Sequence, residues 1–392
     1  MRPLEGITVV ALEQAVAAPF ATRQLADFGA RVIKIERPDV GDFARGYDTT
    51  VKGMSSYFVW VNRSKESLTL DIKHPEATNI LHGLLDNADV FIQNLAPGAT
   101  DRLGFDAATL RARYPRLIIC NLSGYGSSGP YRDKKAYDLL IQCETGVVSV
   151  TGTPEVPSKA GISIADISAG MYAYAGILTA LYQRERTGAG SVLEVSLFES
   201  LGEWMSAPGY FAAYGGQSPR RTGASHATIA PYGPFTSGDG QQVNVGIQNE
   251  REWKRFCEIV LARPELATDP RFDSNTRRVQ NRVSLHEAID ETFSTLSTAH
   301  VIELLDSAQI ANARMNSPEE FWSHPQLTAR DRWRNIDSPV GQLAALLPPI
   351  TMDDVQLNMA PVPGLGEHTG SILGELGYDA QFITMLRGEG AI

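Results

Sequence analysis

The first 120 residues alternate between short apolar runs and segments with helical spacing. Residues 20–28 and 75–87 carry apolar side chains at the helical period and lie between the apolar runs. The apolar runs are rich in β-branched residues and cover 7–12, 31–36, 67–72, 89–93 and 117–122. This alternation predicts an α/β fold with a Rossmann-like parallel sheet that has helices on both faces.

Ligands of such open sheets bind beyond the carboxyl ends of the strands. The loops in which to search for a site therefore follow Leu12, Glu36, Gln93 and Leu122.

The pattern changes near Gly215, where turn-rich stretches replace the strand and helix alternation. Charged helical segments follow at 250–261, 283–296 and 299–307, and one more amphipathic helix is predicted at 369–376. We therefore predict three segments. The large domain begins with residues 1–214, a smaller α+β domain spans 215–330, and residues 331–392 form a C-terminal segment.

Charge and composition disfavour several kinds of partner. Asp and Glu number 45 against 35 Lys and Arg, a net charge of −10 that repels a nucleic acid backbone. The longest apolar run, 167–182, is shorter than the ~20 residues that cross a bilayer, so a buried helix is predicted and no membrane partner is expected. The N-terminus resembles no export signal and the three cysteines form no CxxC pair, which favours the cytoplasm.

Common cofactor motifs are incomplete in this chain. Residues 124–129 satisfy G-x-G-x-x-G after a strand, but PYRDKK follows where a dinucleotide site needs a helix. No P-loop and no G-x-S-x-G elbow occurs, and the seven histidines form no metal-binding pair. We therefore expect no metal and no permanently bound cofactor.

Asp166 lies where a turn-rich segment meets the predicted buried helix. An Asp at this place is most simply a helix cap. The same position has a functional interpretation, since the helix dipole would hold the carboxylate ionised and an ionised carboxylate in a dry cleft can attack an acyl carbon. The sequence alone leaves both interpretations open.

Several short motifs, taken in order, are similar to those of one known family. They are GDFARG at 41–46, NRSKESLTLD at 62–71, NLAPG at 94–98, DRLG at 101–104, Tyr137-Asp138, Asp166 with Gly170, and LGEHT at 365–369. In this combination the chain resembles the class III coenzyme A transferases, the formyl-CoA and carnitine-CoA transferase superfamily. The resemblance spans nearly the whole chain.

The resemblance implies a fold, an assembly and a mechanism. It implies that both chain ends form the large domain and that two protomers interlock as a homodimer. It also implies that Asp166 is the nucleophile that accepts the acyl group, with Gln14 and Ala15 near the reacting thioester. Gln14 and the backbone N–H groups after the first strand would polarise the thioester oxygen. The CoA channel would be lined by Arg37, Asn94, Leu95, Arg102, Leu103, Lys135, Ala136 and Tyr137.

The substrates are predicted from a weaker likeness. Residues 220–232 resemble the succinyl-CoA-dependent branch that serves dicarboxylates such as glutarate, citramalate, itaconate or mesaconate. The GGGGQ loop of the formyl-CoA branch is missing. A second substrate carboxylate needs a cation or several donors, and Arg45 and His226 are candidates.

Two alternatives stay open at this stage. An α-methylacyl-CoA racemase needs a histidine where this chain has Tyr137, because a second group must return the α-proton on the opposite face. A catalytically inactive CoA-binding protein is the other alternative, although it would have no need of Asp166.

Overall fold

A computed structural model describes residues 1–392. The chain divides into two compact units. Unit 1 contains residues 1–147, 160–207 and 329–392, and unit 2 contains residues 148–159 and 208–328. The sequence analysis placed 148–159 with the first segment, whereas in the structure the Arg221 guanidinium donates to the Thr153 and Pro154 carbonyls at 2.8 Å and attaches this excursion to unit 2.

Strands and helices alternate through the first half of the chain. The strands are β1 Thr8–Leu12, β2 Arg31–Glu36, β3 Glu66–Thr69, β4 Val90–Gln93, β5 Ile118–Ser123, β6 Val192–Ser196, β7 Tyr232–Thr236, β8 Gln242–Gly246, β9 Ala311–Arg314, β10 Trp333–Ile336 and β11 Leu343–Leu346. The helices of the first half are α1 Ala17–Asp27, α2 Ser56–Asn62, α3 Ala77–Leu85, α4 Ala99–Arg102, α5 Ala107–Arg113, α6 Asp138–Glu144, α7 Val147–Val150, α8 Ile164–Thr187, α9 Leu197–Trp204 and α10 Ser206–Gly215. The remaining helices are α11 Glu250–Arg255, α12 Asn275–Gln280, α13 Arg282–Phe293, α14 Thr298–Ser307, α15 Pro318–Trp322, α16 Pro325–Ala329, α17 Thr369–Glu375 and α18 Ala380–Gly388.

Unit 1 is built on a six-stranded parallel sheet with the order β3-β2-β1-β4-β5-β6. Val9 of β1 pairs with Val32 of β2 on one side and with Val90 of β4 on the other. The predicted α/β fold with a parallel sheet is confirmed. The direction of winding reverses between β1 and β4, so the loops after these strands border the crevice where such sheets bind ligands.

Strand β6 and helix α18 were not predicted from the sequence. Strand β6 is an edge strand whose residues alternate between exposed and half-buried, so it has no continuous apolar run. Helix α18 buries only Ile383 and Leu386, too few to give a strong helical pattern.

Two apolar cores lie on the two faces of the sheet. Helices α1, α8 and α9 pack on one face, and helices α3, α5, α17 and α18 pack on the other. The C-terminal helices α17 and α18 therefore belong to the core of unit 1 and cover part of this second face of the sheet. A small third cluster joins Phe58 of α2 to the β10-β11 hairpin.

Helix α8 has 24 residues and is long and apolar enough to cross a membrane by length and composition alone. Half of its most apolar stretch is buried inside the protein. Ala165, Ala169, Ala173 and Ile177 are fully buried in the core that α8 shares with α1. A core helix can be equally long and apolar, and the burial of these four residues is typical of a core helix.

Unit 2 combines an antiparallel sheet, β7-β8-β9, with helices α11 to α16. Its core is aromatic, with Trp253, Phe256, Phe272 and Phe293 at most 1% exposed. The predicted helix at 250–261 changes after Arg255 into a π-helical turn, Phe256–Val260.

Candidate active site

Asp166 is the third residue of α8 and therefore lies in its first turn. The capping interpretation of Asp166 is wrong, because another carboxylate does the capping. The Oδ1 atom of Asp138 accepts from the backbone N–H groups of Ala165 at 2.7 Å and Asp166 at 3.1 Å. Its Oδ2 atom accepts from the side-chain amide of Gln142 at 2.7 Å. Asp138 fixes the start of the helix and leaves the Asp166 carboxylate free for another task.

The protonation of Asp166 differs from the expectation that the helix dipole holds it ionised. Burial raises the pKa of its carboxyl group, the negative charge of Asp138 raises it further, and together they bring the pKa to about 7. The dipole is outweighed because partial burial disfavours the charged form and the Asp138 charge repels that of Asp166. Asp166 thus changes charge near neutral pH, and its ionised form is a more basic nucleophile than an ordinary aspartate.

Gly170 brings the start of α1 against the first turns of α8. A Cβ atom at Gly170 would lie 2.7 Å from the Ala17 carbonyl oxygen and 2.9 Å from the Phe20 ring. Only a glycine permits this helix crossing. Asp166 lies one turn before Gly170 on α8, so the crossing holds the turn next to Asp166 against the start of α1.

That loop is held by two side chains from other loops. The Oδ1 atom of Asn94 accepts from Gln14 N and its Nδ2 atom donates to the Gln14 carbonyl, both at 2.8 Å. The Oδ1 atom of Asp42 accepts from Ala15 N at 2.9 Å. Gln14 N and Ala15 N are two of the backbone N–H groups expected to polarise the thioester, and both already have acceptors within the protein. The Gln14 side chain is uncommitted, and its Oε1 atom is buried without a partner.

Behind this loop lies a buried charge network. Lys34 Nζ is 2.7 Å from Asp42 Oδ2 and 3.4 Å from Glu13 Oε1, and Lys65 Nζ is 2.6 Å from Glu13 Oε1. The side chains of Glu13, Lys34, Asp42 and Lys65 are at most 4% exposed. Burial alone would lower the pKa of Lys34, but the neighbouring carboxylates outweigh burial and raise it. The network is a fixed charged support beneath the loop.

A cavity of about 270 Å³ opens at the carboxyl ends of β1, β2 and β3. Gln14, which the resemblance places near the thioester, lines it together with Arg37 and Leu95, which the resemblance assigns to the CoA channel. The Arg37 guanidinium lies over the Phe43 ring at 4.4 Å. Lys73 also lines this cavity, and the sequence analysis missed it. Its signal was its place just after the NRSKESLTLD motif.

A second cavity of about 390 Å³ lies at the carboxyl ends of β4 and β5. Leu95 and Arg102 line it, so Leu95 borders both cavities. The loop 124–129 forms another wall, where Ser127 N donates to Glu194 of β6. No helix follows that loop until α6, and the chain between them runs through turns.

Four more of the predicted CoA residues, Leu103, Lys135, Ala136 and Tyr137, line neither cavity. Leu103 packs against the core of the sheet, and Ala136 occupies the space above Gly124. Lys135 and Tyr137 are exposed.

Comparisons with known proteins identify the family. The model of the CoA-transferase family III matches residues 4–369. The chain belongs to this family. It is 33% identical to a succinyl-CoA:glutarate CoA-transferase of Mus musculus, over 100% of this chain and 91% of that protein. It is 36% identical to an acetyl-CoA:oxalate CoA-transferase of Acetobacter aceti, over 84% of this chain and 85% of that protein.

A solved structure has the same fold. A CAIB/BAIF family protein from Brucella suis is 32% identical and matches with a TM-score of 0.84, over 96% of this chain and 99% of that chain. The protein is accordingly a class III CoA-transferase, an enzyme that moves CoA between acyl-CoA thioesters and carboxylic acids.

The two predicted acceptor residues of this CoA-transferase have different surroundings. Arg45 forms an ion pair with Glu36 at 2.7 Å, and its guanidinium lies over the Phe58 ring at 3.7 Å. Burial alone would raise the pKa of Glu36, but Arg45 and Lys34 outweigh burial and lower it to about 2. Arg45 therefore already has a carboxylate partner. His226 belongs to unit 2, where its exposed ring stacks on Tyr232 at 5.3 Å.

Tyr47, which was not singled out from the sequence, lies within electrostatic range of the site carboxylates. Burial raises the pKa of its phenol, and the negative charges of Asp42 and Asp166 raise it further. Both carboxylates therefore lie within electrostatic range of one hydroxyl group. Tyr47 directly follows the GDFARG motif, which was the only signal that could have drawn attention to it.

Proposed function

We propose that this CoA-transferase moves CoA from succinyl-CoA to a dicarboxylic acid, with Asp166 as the nucleophile. The observation that carries the proposal is a partly buried carboxylate in the first turn of α8, whose backbone is held by Asp138 and whose helix packs against the start of α1 at Gly170. The two relatives described above are named for glutarate and oxalate, and both of these acids are dicarboxylates.

The proposed reaction proceeds through two kinds of enzyme adduct. An Asp166 carboxylate oxygen attacks the thioester carbon, the C–S bond breaks, and CoA leaves as a thiolate from the new acyl anhydride. The thiolate then attacks the Asp166 carbonyl carbon, which releases the donor acid and leaves an aspartyl-CoA thioester. The acceptor carboxylate attacks this thioester and forms its own anhydride while the thiolate leaves. The thiolate finally attacks the acceptor carbonyl, which gives acceptor-CoA and free Asp166.

Positioning and electrostatics supply the rate in this scheme. A carboxylate is a weak nucleophile toward a thioester, so Asp166 must be held close to the thioester carbon and kept dry. The side-chain amide of Gln14 is the donor that we assign to the thioester oxygen, since its backbone N–H is already used. Arg37 and Lys73 give the smaller cavity two cations suited to the phosphates of CoA, and Arg102 gives the larger cavity one.

We further infer a homodimer that acts in the cytoplasm. Helix α10 has no buried residue and exposes Tyr210, Phe211 and Tyr214, as a surface that meets a second protomer would do. Cys120, Cys143 and Cys257 are all free thiols, which suits a reducing compartment. Sequence motifs of the family, not the structure of this single chain, suggest that the protomers interlock.

A substrate panel tests the activity. Purified enzyme with succinyl-CoA should form new acyl-CoA species with glutarate, itaconate, mesaconate or citramalate, measured by liquid chromatography. Monocarboxylic acids should react more slowly. Asp166→Ala should abolish transfer, while Glu185→Gln, which changes an exposed carboxylate at the far end of α8, should leave it unchanged. Full turnover by Asp166→Ala would refute the mechanism.

A trapping experiment tests the adduct. Wild-type enzyme mixed with succinyl-CoA and quenched with hydroxylamine should carry a hydroxamate on the peptide that contains Asp166, detected by mass spectrometry. Labelling of a different carboxylate would overturn the assignment.

A further inference from the structure

The amide of Asn94 is engaged by backbone rather than offered to a ligand. Its oxygen and one of its N–H groups form a closed pair of 2.8 Å hydrogen bonds with the N–H and carbonyl of Gln14. Family resemblance counted Asn94 among the residues that line the CoA channel, yet Asn94 does not line either cavity, whereas its neighbour Leu95 lines both.

Asp42 holds the next peptide from the opposite side. It accepts from Ala15 N and from Ala44 N, both at 2.9 Å, and its other oxygen is paired with Lys34. Ala15 has a φ of 63°, in the left-handed region that residues with a Cβ atom rarely adopt. Such a conformation persists only when neighbouring groups enforce it. Asn94 and Asp42 are the groups that do so.

The enforced segment borders the smaller cavity and leads into the crossing of α1 with α8. Gln14 and Asp42 line that cavity. Two residues after Ala15, the Ala17 carbonyl meets Gly170, one helical turn from Asp166. Any shift of the Gln14 peptide therefore moves the group assigned to the thioester oxygen relative to the nucleophile.

We propose that Asn94 is a positioning residue, which together with Asp42 sets the conformation of Gln14 and Ala15 and does not bind CoA. This inference rests on the proposed function, because its effect is measured on CoA transfer. A positioning residue and a CoA ligand affect different kinetic constants. Loss of a ligand contact that is equal in ground and transition states raises KM, whereas loss of alignment lowers kcat.

The test is Asn94→Ala in the full-length enzyme, assayed with succinyl-CoA and the best acceptor of the panel. We expect kcat to fall by about tenfold or more, because small misplacements of reacting groups have effects of this size. The KM for succinyl-CoA should stay within about twofold of wild type. A rise in KM with unchanged kcat would show that Asn94 is a CoA ligand, and no change in either constant would also overturn the proposal.

Hydrogen exchange measured by mass spectrometry provides the structural readout. In Asn94→Ala, amides in the peptide spanning residues 13–18 should exchange faster, while those of β4 and α3 should exchange as in wild type. Asn79→Ala is the matched control, since Asn79 is exposed on α3 and bonds only to Glu76. If Asn94→Ala is insoluble, Asn94→Ser removes the same pair of bonds and carries the same expectations.

The outcomes separate this inference from the proposed function. A wild-type enzyme that transfers no CoA to any acid would refute the proposed function. A wild-type enzyme that transfers CoA and is matched by Asn94→Ala in kcat, KM and exchange would refute only the positioning role.

Discussion

Replacing Asp166 by Asn should stabilise the protein while it abolishes transfer. The pKa of Asp166 is about 7 in the folded protein, whereas the ordinary pKa of an aspartate, which we take for the unfolded chain, is 3.8. The folded state therefore holds the proton more tightly than the unfolded state, and the carboxyl group lowers stability progressively as the pH rises from about 4 to about 7. Above pH 7 the full difference corresponds to at most about 4 kcal/mol.

Solvent reaches part of the Asp166 side chain and screens this effect, so we expect a gain of about 2 kcal/mol for Asp166→Asn at pH 8. At pH 5 the gain should be smaller, because folded Asp166 is then still protonated. Asn is similar in size and keeps the backbone bond to Asp138.

Urea unfolding followed by tryptophan fluorescence measures the difference, at pH 5 and at pH 8 and at one protein concentration. Glu185→Gln serves again as the control and should change stability by less than about 0.5 kcal/mol at either pH. A variant that gains no stability at pH 8, or gains equally at both pH values, would show that Asp166 is not a strained carboxylate.

Three other measurements follow from the site. The kcat/KM of the wild type should rise as the pH increases through about 7, because Asp166 must be ionised to attack. In Asp138→Asn this rise should occur at lower pH, because the neighbouring negative charge is gone. A rise at the same pH would count against the electrostatic coupling of the two carboxylates. Gly170→Ala should push α8 from α1 and lower kcat by about tenfold or more, and a fully active variant would show that the crossing tolerates a Cβ atom. Arg37→Ala should raise the KM for succinyl-CoA by about tenfold with little change in kcat, whereas Lys52→Ala, an exposed cation bonded to Gln342, should change neither constant.

The sequence predicted the sheet well because its inner strands are rich in apolar and β-branched residues. Strands β1, β2, β4 and β5 are largely buried on both faces, and strands buried in this way are rich in apolar residues that can be recognised in the sequence. Strand β6 has one solvated side and carries no such run. Strand β6 forms because it pairs with β5, and this tertiary interaction cannot be inferred from the local sequence pattern.

The site was predicted unevenly for a related reason. Of the residues singled out from the sequence, Arg37 and Arg102 line cavities at the carboxyl end of the sheet, and Asp166 lies in the first turn of α8. The motifs did not indicate which residues distant in sequence bond to one another. Asp138 acts on a helix that begins 26 residues later, and Asn94 acts on Gln14, 80 residues earlier.

The same limit explains the reversed expectation for the charge of Asp166. A helix dipole can be inferred from a helix start, but burial and a neighbouring carboxylate depend on how the chain folds over that start. Arg45 shows the equivalent problem for a cation. It appeared available for a substrate until the structure paired it with Glu36.

The buried charges under the β1-α1 loop constrain how this enzyme can be redesigned. A change at Glu13, Lys34, Asp42 or Lys65 alone would strand an opposite charge away from water, at a loss of about 3–5 kcal/mol. Neutral replacements made together in charge-balanced pairs avoid that loss. Mutant libraries that vary these four positions one at a time would therefore miss combinations that fold. Only simultaneous randomisation of charge-balanced pairs can find alternative residues beneath the β1-α1 loop.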